Sequence, residues 1–411
     1  MNRIRTVFSL AVISLLFFPR PSFSGGLQGA KASAMATAFV AIADDPSAIA
    51  YNPAGLTQLT GTNIYGGSSF VIPSTTYISP SGRSEHTDFQ IFFPPHLYVS
   101  SDAGTKDMRL GIGIYSPFGI GGRKWDENGL TRFSSVESLI ATISINPTVA
   151  YQILPTLSIG AGVDFMISKM KSEKRINQSA LGAADGEFTF DALGTGWGYD
   201  VGILFTPDRR FSLGFVYRSR IKVTHKGDIE LKDIAPALQP TFGGSSFKTD
   251  TESPATFPEL INFGIAVRPD DKLTVALEYE FGGWSTFKSA EFKLEHEVPA
   301  VGFTSSSTPR DWKDAWIAKI GADYKLNDKV SIRGGYAFLK TQVPDRTLDA
   351  ANPDSNQHNF SAGLGYKTKK IVVDVFYIAD FYEDRKVHNN ILSGEYENFA
   401  HFFGFSVGRS F

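Results

Sequence analysis

Hydrophobic and polar residues alternate with a period of two along most of the chain beyond residue 60. Between Leu273 and Phe281, the odd-numbered positions carry large apolar residues, and the even-numbered positions carry threonine, alanine and glutamate. The same alternation recurs at residues 211–220, 330–338, 360–366 and 371–377. Alternation over about ten residues predicts β-strands with one apolar face, and the small or charged residues opposite do not resemble a packed core.

Short turns and long polar loops alternate between the predicted strands. Residues 207–209 and 327–328 are tight turns, whereas residues 230–255, 295–310 and 343–357 are long loops. This asymmetry is typical of an outer-membrane barrel, and the alternative, a soluble array of β-sandwiches, does not require it. The predicted strands begin near residues 61, 87, 108, 138, 156, 188, 210, 257, 272, 311, 329, 357, 370 and 397. The chain is therefore predicted to be all-β, with a 14-stranded antiparallel transmembrane β-barrel over residues 61–411.

The last predicted strand is amphipathic. Phe403, Phe405, Val407 and Phe411 share one of its faces. A final strand that ends in phenylalanine resembles the signal read by the barrel-assembly machinery, which we therefore expect as a partner during biogenesis. The expected location is the outer membrane of a Gram-negative bacterium, surrounded by outer-membrane lipid and lipopolysaccharide.

The N-terminus has the pattern of a sorting signal. Arg3 and Arg5 precede an apolar run over residues 7–18, which is too short to span a bilayer. Prolines and small residues follow, up to Ser24. This pattern predicts a secretory signal peptide over residues 1–24, with an uncleaved anchor as the alternative.

Residues 25–60 do not fit a barrel wall. Alanine is frequent between residues 29 and 43, which favours a compact helical piece. Asp45 and Pro46 predict a helix start, and this helix should end by Tyr51 because Asn52 precedes a proline. Fourteen strands enclose a lumen too wide for wall side chains to fill, so we predict a small N-terminal helical hatch in the lumen. A periplasmic extension without a plugging role is the alternative.

Composition excludes several classes of protein. With 40 basic and 42 acidic residues, the chain offers no basic face for nucleic acid, and no apolar run of about 18 residues suggests a membrane-spanning helix. The absence of cysteine excludes disulfide scaffolds, and the seven histidines lack the spacing of metal ligands. The Gly-x-Ser-x-Gly pattern at residues 404–408 lies within the last predicted strand and so forms no strand-to-helix nucleophile elbow, and there is no phosphate loop. We therefore predict no metal, cofactor or enzyme activity, and only an outer-membrane lipase with a hidden Ser/His pair stays open as a catalytic alternative.

Two short segments carry a family resemblance. Residues 43–48 read Ala-Asp-Asp-Pro-Ser-Ala, and residues 51–56 read Tyr-Asn-Pro-Ala-Gly-Leu. In a plug-like segment ahead of fourteen strands, these residues resemble the hatch of the FadL family of outer-membrane transporters for long-chain fatty acids and aromatic hydrocarbons. Further similarity lies at residues 116–119, 146–151, 217–219, 334–336 and 343–345. The resemblance implies a hatch or gating role for Asn52, Pro53 and Ala54.

The resemblance also implies a kinked third strand that leaves a side opening, through which ligand passes laterally into the membrane. The third strand is predicted over residues 108–118. Gly111, Gly113 and the Ser116-Pro117 step could distort it, because proline cannot donate to the ladder and glycine weakens it. Alternatively, the glycines only ease the curvature of the barrel.

Asn52 is expected to tie the hatch to the interrupted backbone of this third strand. Its side chain offers one acceptor and two donors, and the following proline holds it in an extended conformation. The alternative is a simple turn former that ends a helix.

An apolar molecule partitions poorly into an aqueous pore, so uptake favours a series of apolar sites. In the loop at residues 120–137, the candidate outer contacts for the ligand are Trp125, Leu130 and Phe133. The alternative is that these residues only anchor the barrel at the membrane interface. A fatty-acid carboxylate requires a cation. The inward-facing candidates by strand parity are Arg218, Arg220, Lys319 and Arg333. The alternative for these four residues is an ion-pair network that holds the hatch to the wall.

The predicted function is uptake of a hydrophobic small molecule by binding in a plugged barrel and lateral release into the membrane. A general aqueous porin is one alternative, which predicts a charged constriction and no plug. A structural or adhesive barrel is another, which predicts larger loops or an appended domain.

Overall fold

The structure, a computed structural model, describes residues 27–298 and 303–411. Most of this chain forms a closed antiparallel β-barrel of fourteen strands, which confirms the predicted fold class. The predicted signal peptide, residues 1–24, lies outside the described residues. None of the helices in the described ranges is long and apolar enough to cross a membrane.

Twenty-one strand segments in the described part of the chain form one sheet. They are β1 (Thr62–Ile78), β2 (Ser84–His86), β3 (Pro95–Ser101), β4 (Met108–Tyr115), β5 (Ile120–Lys124), β6 (Glu137–Leu154), β7 (Leu157–Ile176), β8 (Gly186–Asp208), β9 (Phe211–Arg218), β10 (Ile221–Lys232), β11 (Phe247–Phe257), β12 (Leu260–Val267), β13 (Leu273–Gly282), β14 (Ser289–Val298), β15 (Phe303–Pro309), β16 (Ala315–Lys325), β17 (Val330–Leu339), β18 (Gln357–Lys367), β19 (Ile371–Tyr382), β20 (Arg385–Val387) and β21 (Gly394–Ser410). Seven of the fourteen wall strands consist of two consecutive segments: β2–β3, β4–β5, β9–β10, β11–β12, β13–β14, β15–β16 and β19–β20.

Helices are few and short. The α-helices of the described residues are α1 (Ala30–Ala34), α2 (Ala48–Tyr51) and α3 (Gln239–Phe242), and the 3₁₀ turns are Pro53–Gln58, Ser179–Leu181, Trp284–Thr286 and Asp345–Thr347. The barrel closes where β1 meets β21, in antiparallel register from Asn63 opposite Ser410 to Ile78 opposite Glu395. Tight turns such as residues 155–156 and 209–210 lie at one end, and long loops lie at the other. In outer-membrane barrels the short turns face the periplasm.

The two faces of the wall differ in character. Leu277, Tyr279 and Tyr366 are 52%, 47% and 48% exposed, and they point outward, where lipid covers such a surface. Glu278 and Glu280 alternate with the first two and are buried inside the barrel. The apolar face therefore points outward and the small or charged face inward, as the alternation predicts.

Two predicted loops are largely strand. β10 continues to Lys232 and β11 begins at Phe247, so the predicted loop at residues 230–255 shrinks to residues 233–246. The predicted loop at residues 295–310 contains β15. Both hairpins extend the wall with residues such as Thr249 and Ser253, so they lack the apolar alternation that marks the membrane-facing band.

Residues 27–60, here called the N-terminal segment, are only partly helical. The alanine-rich stretch is helical in α1, and then turns irregularly with positive φ at Ala36 and Thr37 (51° and 60°). Asp45 does not cap a helix as predicted; Ser47 is the N-cap of α2, and Asp45 accepts hydrogen bonds from the Ser47 backbone and hydroxyl. α2 ends at Tyr51, as the following Asn-Pro step predicts.

Candidate functional site

The N-terminal segment packs against the inner face of the wall on several sides. α1 contacts β17, β18, β19 and β21, whereas α2 contacts β4, and the 3₁₀ turn at Pro53–Gln58 contacts β6, β7 and β8. Glycines on the wall make room for it: a Cβ on Gly160 would lie 2.4 Å from the Pro53 carbonyl carbon, and one on Gly214 would lie 2.2 Å from the Val40 oxygen. These approaches are closer than any larger residue tolerates, so the inner wall is shaped to the segment.

Asn52 joins the N-terminal segment to the wall. Its Nδ2 donates to Val40 O (2.8 Å) within the segment and to Ile203 O (3.0 Å) on β8, while its Oδ1 accepts from Ala54 N (3.2 Å). Its backbone is extended, with φ −154° and ψ 103°, as expected before Pro53. The expected tie to the third wall strand is wrong, because the wall partner is β8. Pro53 and Ala54 lie beside Asn52 and are buried.

The third wall strand is interrupted. β4 ends at Tyr115, β5 begins at Ile120, and Gly119 between them has φ 79°. Pairing with the second wall strand stops at Leu97 opposite Ile114 and resumes where Asp88 N donates to Lys124 O (2.8 Å). The hydrogen-bonded ladder between the second and third wall strands is therefore interrupted at residues 115–123, whereas Tyr115 and residues 120–124 stay paired with β6.

The predicted side-opening residues divide into two groups. Ser116 and Pro117 lie at the interruption, whereas Gly111 and Gly113 lie in the paired part of β4. A Cβ at either glycine would lie within 3.0 Å of Ile49, so these glycines admit α2 rather than forming the break.

The contact between the N-terminal segment and the interruption is made by Gln28, not by Asn52. Gln28 was not among the predicted site residues. Its Nε2 donates to Ser116 O (2.5 Å), and its backbone N donates to the Tyr51 hydroxyl (3.1 Å). A lone glutamine before the alanine-rich stretch carries no sequence signal for this contact. Two exposed aromatic residues of the second wall strand, Phe89 (77%) and Phe93 (53%), precede β3 on the side of the gap.

The four cations proposed to bind a carboxylate are all paired with carboxylates of the wall. Arg218 lies 3.6 Å from both Asp164 and Asp200. Lys319 lies 2.9 Å from Glu278 and 2.7 Å from Glu280. Arg333 lies 2.7 Å from Asp323 and 2.6 Å from Asp374, and Arg220 lies 2.7 Å from Glu259. Lys319 is buried, Arg218 and Arg333 are partly buried, and Arg220 is exposed. The geometry favours the ion-pair network over carboxylate binding at these positions.

Two of these clusters hold the N-terminal segment directly. Arg218 donates to Ala50 O (2.5 Å), and Glu278 accepts from the backbone N–H groups of Phe39 and Val40, both at 2.9 Å. Lys319 neutralises Glu278 from the other side. A small cavity of about 20 Å³ lies between Ala50, Arg218 and the interruption at Pro117.

A large apolar cluster lies on the long-loop side of the segment. Its members include Tyr77, Phe118, Trp125, Met166, Met170, Phe188, Phe190, Ile221, Phe257, Leu260, Trp284, Trp312 and Tyr396. Trp125 is buried and donates from Nε1 to Ala350 O (3.0 Å), and Leu130 packs against the same cluster. Phe133 instead lies under the Arg132 guanidinium (4.1 Å to the ring centre), outside the cluster. Most members are inward residues of wall strands, which strand parity can identify but a search of loops overlooks.

The short-turn end of the N-terminal segment carries three charged groups. Lys31 and Asp44 form a salt bridge (2.6 Å); burial opposes both charges, but their attraction prevails, so the pKa of Lys31 is raised and that of Asp44 is lowered. Burial raises the pKa of Asp45 to about 6, and its Oδ2 has no hydrogen-bond partner among the described groups. These groups border a cavity of about 330 Å³ that also reaches Arg333.

The N-terminal segment is expected to be held more tightly at pH 5 than at pH 8. Because the pKa of Asp45 is raised in the docked segment, its protonation favours docking; this contribution is complete below about pH 4 and is lost as the pH rises through about 6. Asp44 acts in the opposite sense but titrates below this window. Ion conductance in planar bilayers should therefore rise from pH 5 to pH 8, and should rise less in Asp45→Asn. Asp271→Asn, at the exposed turn between β12 and β13, is the control, and an unaltered pH response in Asp45→Asn would contradict the assignment.

A closed fourteen-strand barrel, an apolar inner cluster and a segment packed across the lumen define an outer-membrane transport protein. Residues 24–411 match the family described as "Outer membrane protein transport protein (OMPP1/FadL/TodX)", and the chain belongs to this family. The "Long-chain fatty acid transport protein" of Escherichia coli K12 is 23% identical over 418 residues, covering 90% of each chain. The protein is located in the outer membrane.

Solved structures share the fold. A FadL homologue from Pseudomonas aeruginosa superposes with a TM-score of 0.83 at 18% identity, covering 96% of this chain and 100% of its own. The toluene transporter TodX from P. putida gives a TM-score of 0.76 at 16% identity, covering 93% of this chain and 98% of its own.

Proposed function

We propose that this protein takes up hydrophobic small molecules, long-chain fatty acids or aromatic hydrocarbons, across the outer membrane. The observation that carries this proposal is the apolar cluster, which lies inside the barrel beside an interruption of the wall at residues 116–119. Ligand binds among these aromatic residues and leaves sideways into the membrane through the interruption. The named functions of the E. coli and P. putida relatives support this substrate range.

We further propose that residues 25–60 act as a hatch and that residues 61–411 form the transmembrane barrel. The bonds from Asn52, Arg218 and Glu278 support this division, because each joins the segment to an inward group of the wall. A closed hatch prevents flow of water and ions, while hydrophobic ligand moves along the apolar route. This arrangement differs from that of a general porin, whose lumen is an open aqueous channel.

We infer that the protein catalyses no reaction, since the family consists of transport proteins. Its outward apolar face fits outer-membrane lipid and lipopolysaccharide, and its terminal Phe411 fits recognition by the barrel-assembly machinery. Mass spectrometry of the compounds that copurify with the protein in detergent tests the substrate class. Hydrophobic acids or aromatics are expected; only hydrophilic solutes, or none beyond detergent and lipid, would count against the proposal.

Asn52→Ala is expected to reduce uptake of labelled fatty acid and toluene several-fold without lowering the amount of folded barrel. The substitution leaves the Val40 carbonyl without a donor and Ala54 N without an acceptor, at a cost of about 1–3 kcal/mol each. It also removes the bond from the segment to Ile203 O, and so displaces the hatch from β8. The barrel ladder, which supplies most of the stability, is untouched.

Gln58→Ala is the matched control, because Gln58 donates only to carbonyls of its own segment, those of Ile42, Ala43 and Gly55. Uptake is measured in cells and normalised to barrel abundance. Wild-type uptake by Asn52→Ala, or an equal loss in Gln58→Ala, would remove the proposed gating role of the bond to β8.

A further inference from the structure

Four lysines line the cavity at the short-turn end of the barrel without a carboxylate partner. They are Lys325 and Lys329 of the β16–β17 hairpin, and Lys367 and Lys370 of the β18–β19 hairpin. Within residues 27–298 and 303–411, no carboxylate oxygen lies within 4.0 Å of their ammonium nitrogens. In the same ranges, their one side-chain hydrogen bond runs from Lys325 Nζ to Asp271 O (3.2 Å). All four residues are exposed at the mouth of the cavity.

The backbone brings the four lysines together on the inner side of the wall. Lys367 N donates to Lys329 O (2.8 Å), so the two hairpins are adjacent. Residues two or four positions apart on a strand share a face. Each lysine has this spacing from one inward residue at or beside the Arg333 ion pairs: Asp323, Arg333, Gly365 or Asp374. The lysines therefore lie on the short-turn side of Arg333, facing into the mouth of the barrel.

The inner end of this cavity is balanced in charge. The whole lining contains eight cations and five carboxylates, so it is basic overall. Three of the carboxylates are already paired, Asp44 with Lys31, and both Asp323 and Asp374 with Arg333. These pairs lie beside the hatch, and the excess of positive charge is left at the mouth.

The charge at the mouth is not matched by nearby acidic residues. Six cations of the lining have no carboxylate partner in the described part of the chain, namely the four lysines, Lys369 and Arg409. Only two carboxylates of the lining, Asp45 and Asp328, are left against them. By contrast, the short turns at residues 102–109 and 268–272 each carry two basic and two acidic residues. The basic excess therefore distinguishes this sector of the rim from those two turns.

We propose that this mouth binds a phosphate group, held by Lys325, Lys329, Lys367 and Lys370. An anion there relieves the mutual repulsion of the clustered ammonium groups. Separate ammonium groups act as point charges around the several oxygens of a phosphate, whereas a planar carboxylate is matched better by a guanidinium. The cavity, at about 330 Å³, is far larger than a single water requires and has room for a phosphate with its substituents.

A phosphate group can reach this site from two sources. The short turns face the periplasm, so a soluble phosphate has access to the mouth. Phospholipid headgroups of the inner leaflet lie at the same level, and Arg409 extends the basic surface towards them, because it shares the outward face of β21 with Phe405 and Val407. The site goes beyond the proposed function, since it takes a second ligand at the end of the barrel opposite the apolar cluster.

The test measures binding of two ligands to the purified full-length protein in a neutral detergent at low salt. The ligands are radiolabelled inorganic phosphate and dihexanoylphosphatidylglycerol, a soluble short-chain anionic lipid. The double variant Lys367→Gln/Lys370→Gln should lower the affinity for the bound ligand by about tenfold or more, because two of the four cations are lost. Salt at about 0.5 M should also weaken binding to the wild type, since these charges are exposed.

Lys106→Gln/Lys272→Gln is the matched control. Both lysines are exposed at other short turns outside the cavity, so this variant loses the same charge and should bind like the wild type. Heat-modifiable mobility on gels verifies that each barrel is folded. A loss confined to the cavity variant supports the site; tighter binding of inorganic phosphate then identifies a soluble ligand, and tighter binding of the lipid identifies a headgroup. Equal affinity in the two double variants, or no binding of either ligand to the wild type, would overturn the phosphate site and leave hydrophobic uptake in place.

Discussion

Deleting residues 29–51 is expected to convert a nearly closed barrel into an open pore, with a several-fold or larger rise in single-channel conductance. The deleted residues include α1, which contacts β17–β19 and β21, and α2, which contacts a separate part of the wall at β4. The inner wall left behind consists of glycines and charged groups, and fourteen strands are too many for wall side chains alone to fill the lumen. Water and ions should therefore fill the space.

The measurement is conductance in planar bilayers with equal amounts of folded wild type and variant. The barrel should still form, because β1 pairs with β21 through sixteen residue pairs from Asn63 to Ile78, none of which involves the deleted segment. Heat-modifiable mobility checks this point. Conductance equal to that of the wild type, from a barrel shown to be folded, would mean that residues 29–51 do not close the lumen.

Glu278→Ala is expected to release the hatch without deleting any of it. The substitution removes the acceptor for the N–H groups of Phe39 and Val40, and two buried donors left unpaired cost about 2–6 kcal/mol together. Because Glu278 also pairs with Lys319, its removal carries a second cost, that of disturbing a buried ion pair. Conductance should rise towards that of the deletion variant, and residues of the segment should become accessible to protease.

Glu280→Ala separates these two effects. Glu280 also pairs with Lys319 (2.7 Å), so its removal disturbs the same cation but leaves both bonds from Glu278 to the segment in place. The chain has no cysteine, so single cysteines introduced at Ala38 in each background give an unambiguous labelling readout. Equal conductance and labelling in the two alanine variants would assign the effect to the ion pair and contradict the anchoring role of Glu278.

The barrel was predictable from sequence because each strand separates two media. Lipid lies outside the barrel, and the interior is polar and lined with glycine, so apolar and polar residues alternate along each strand, as in Leu277, Glu278 and Tyr279. This alternation shows both where each strand lies and which of its side chains point inward. The prediction failed where that contrast ends, at β11 and β15, because these strands extend beyond the apolar band. The same alternation along the strands correctly predicted that the side chains of Arg218, Lys319 and Arg333 point inward.

The contacts across the lumen were not predictable in this way. The alternation along the strand places Arg218 inside the barrel but does not identify its partner, which could be Asp164, a ligand or the hatch. These groups come together only when the barrel closes. Asn52 contacts β8 instead of the third strand for a related reason: the path of an irregular segment is set by close packing against Gly160 and Gly202. The loop predicted at residues 120–137 begins later than expected, because residues 120–124 form β5.

The central claim is that a hydrophobic molecule crosses this barrel while small hydrophilic solutes do not. The most direct test is the rate at which labelled oleate, toluene and sucrose enter bacterial cells that lack their own outer-membrane fatty-acid transporter and express this protein. We expect uptake of at least one hydrophobic compound to rise well above that of cells without the protein, with sucrose entry unchanged. A rise in sucrose entry with no gain for oleate or toluene would identify an aqueous porin and contradict the account.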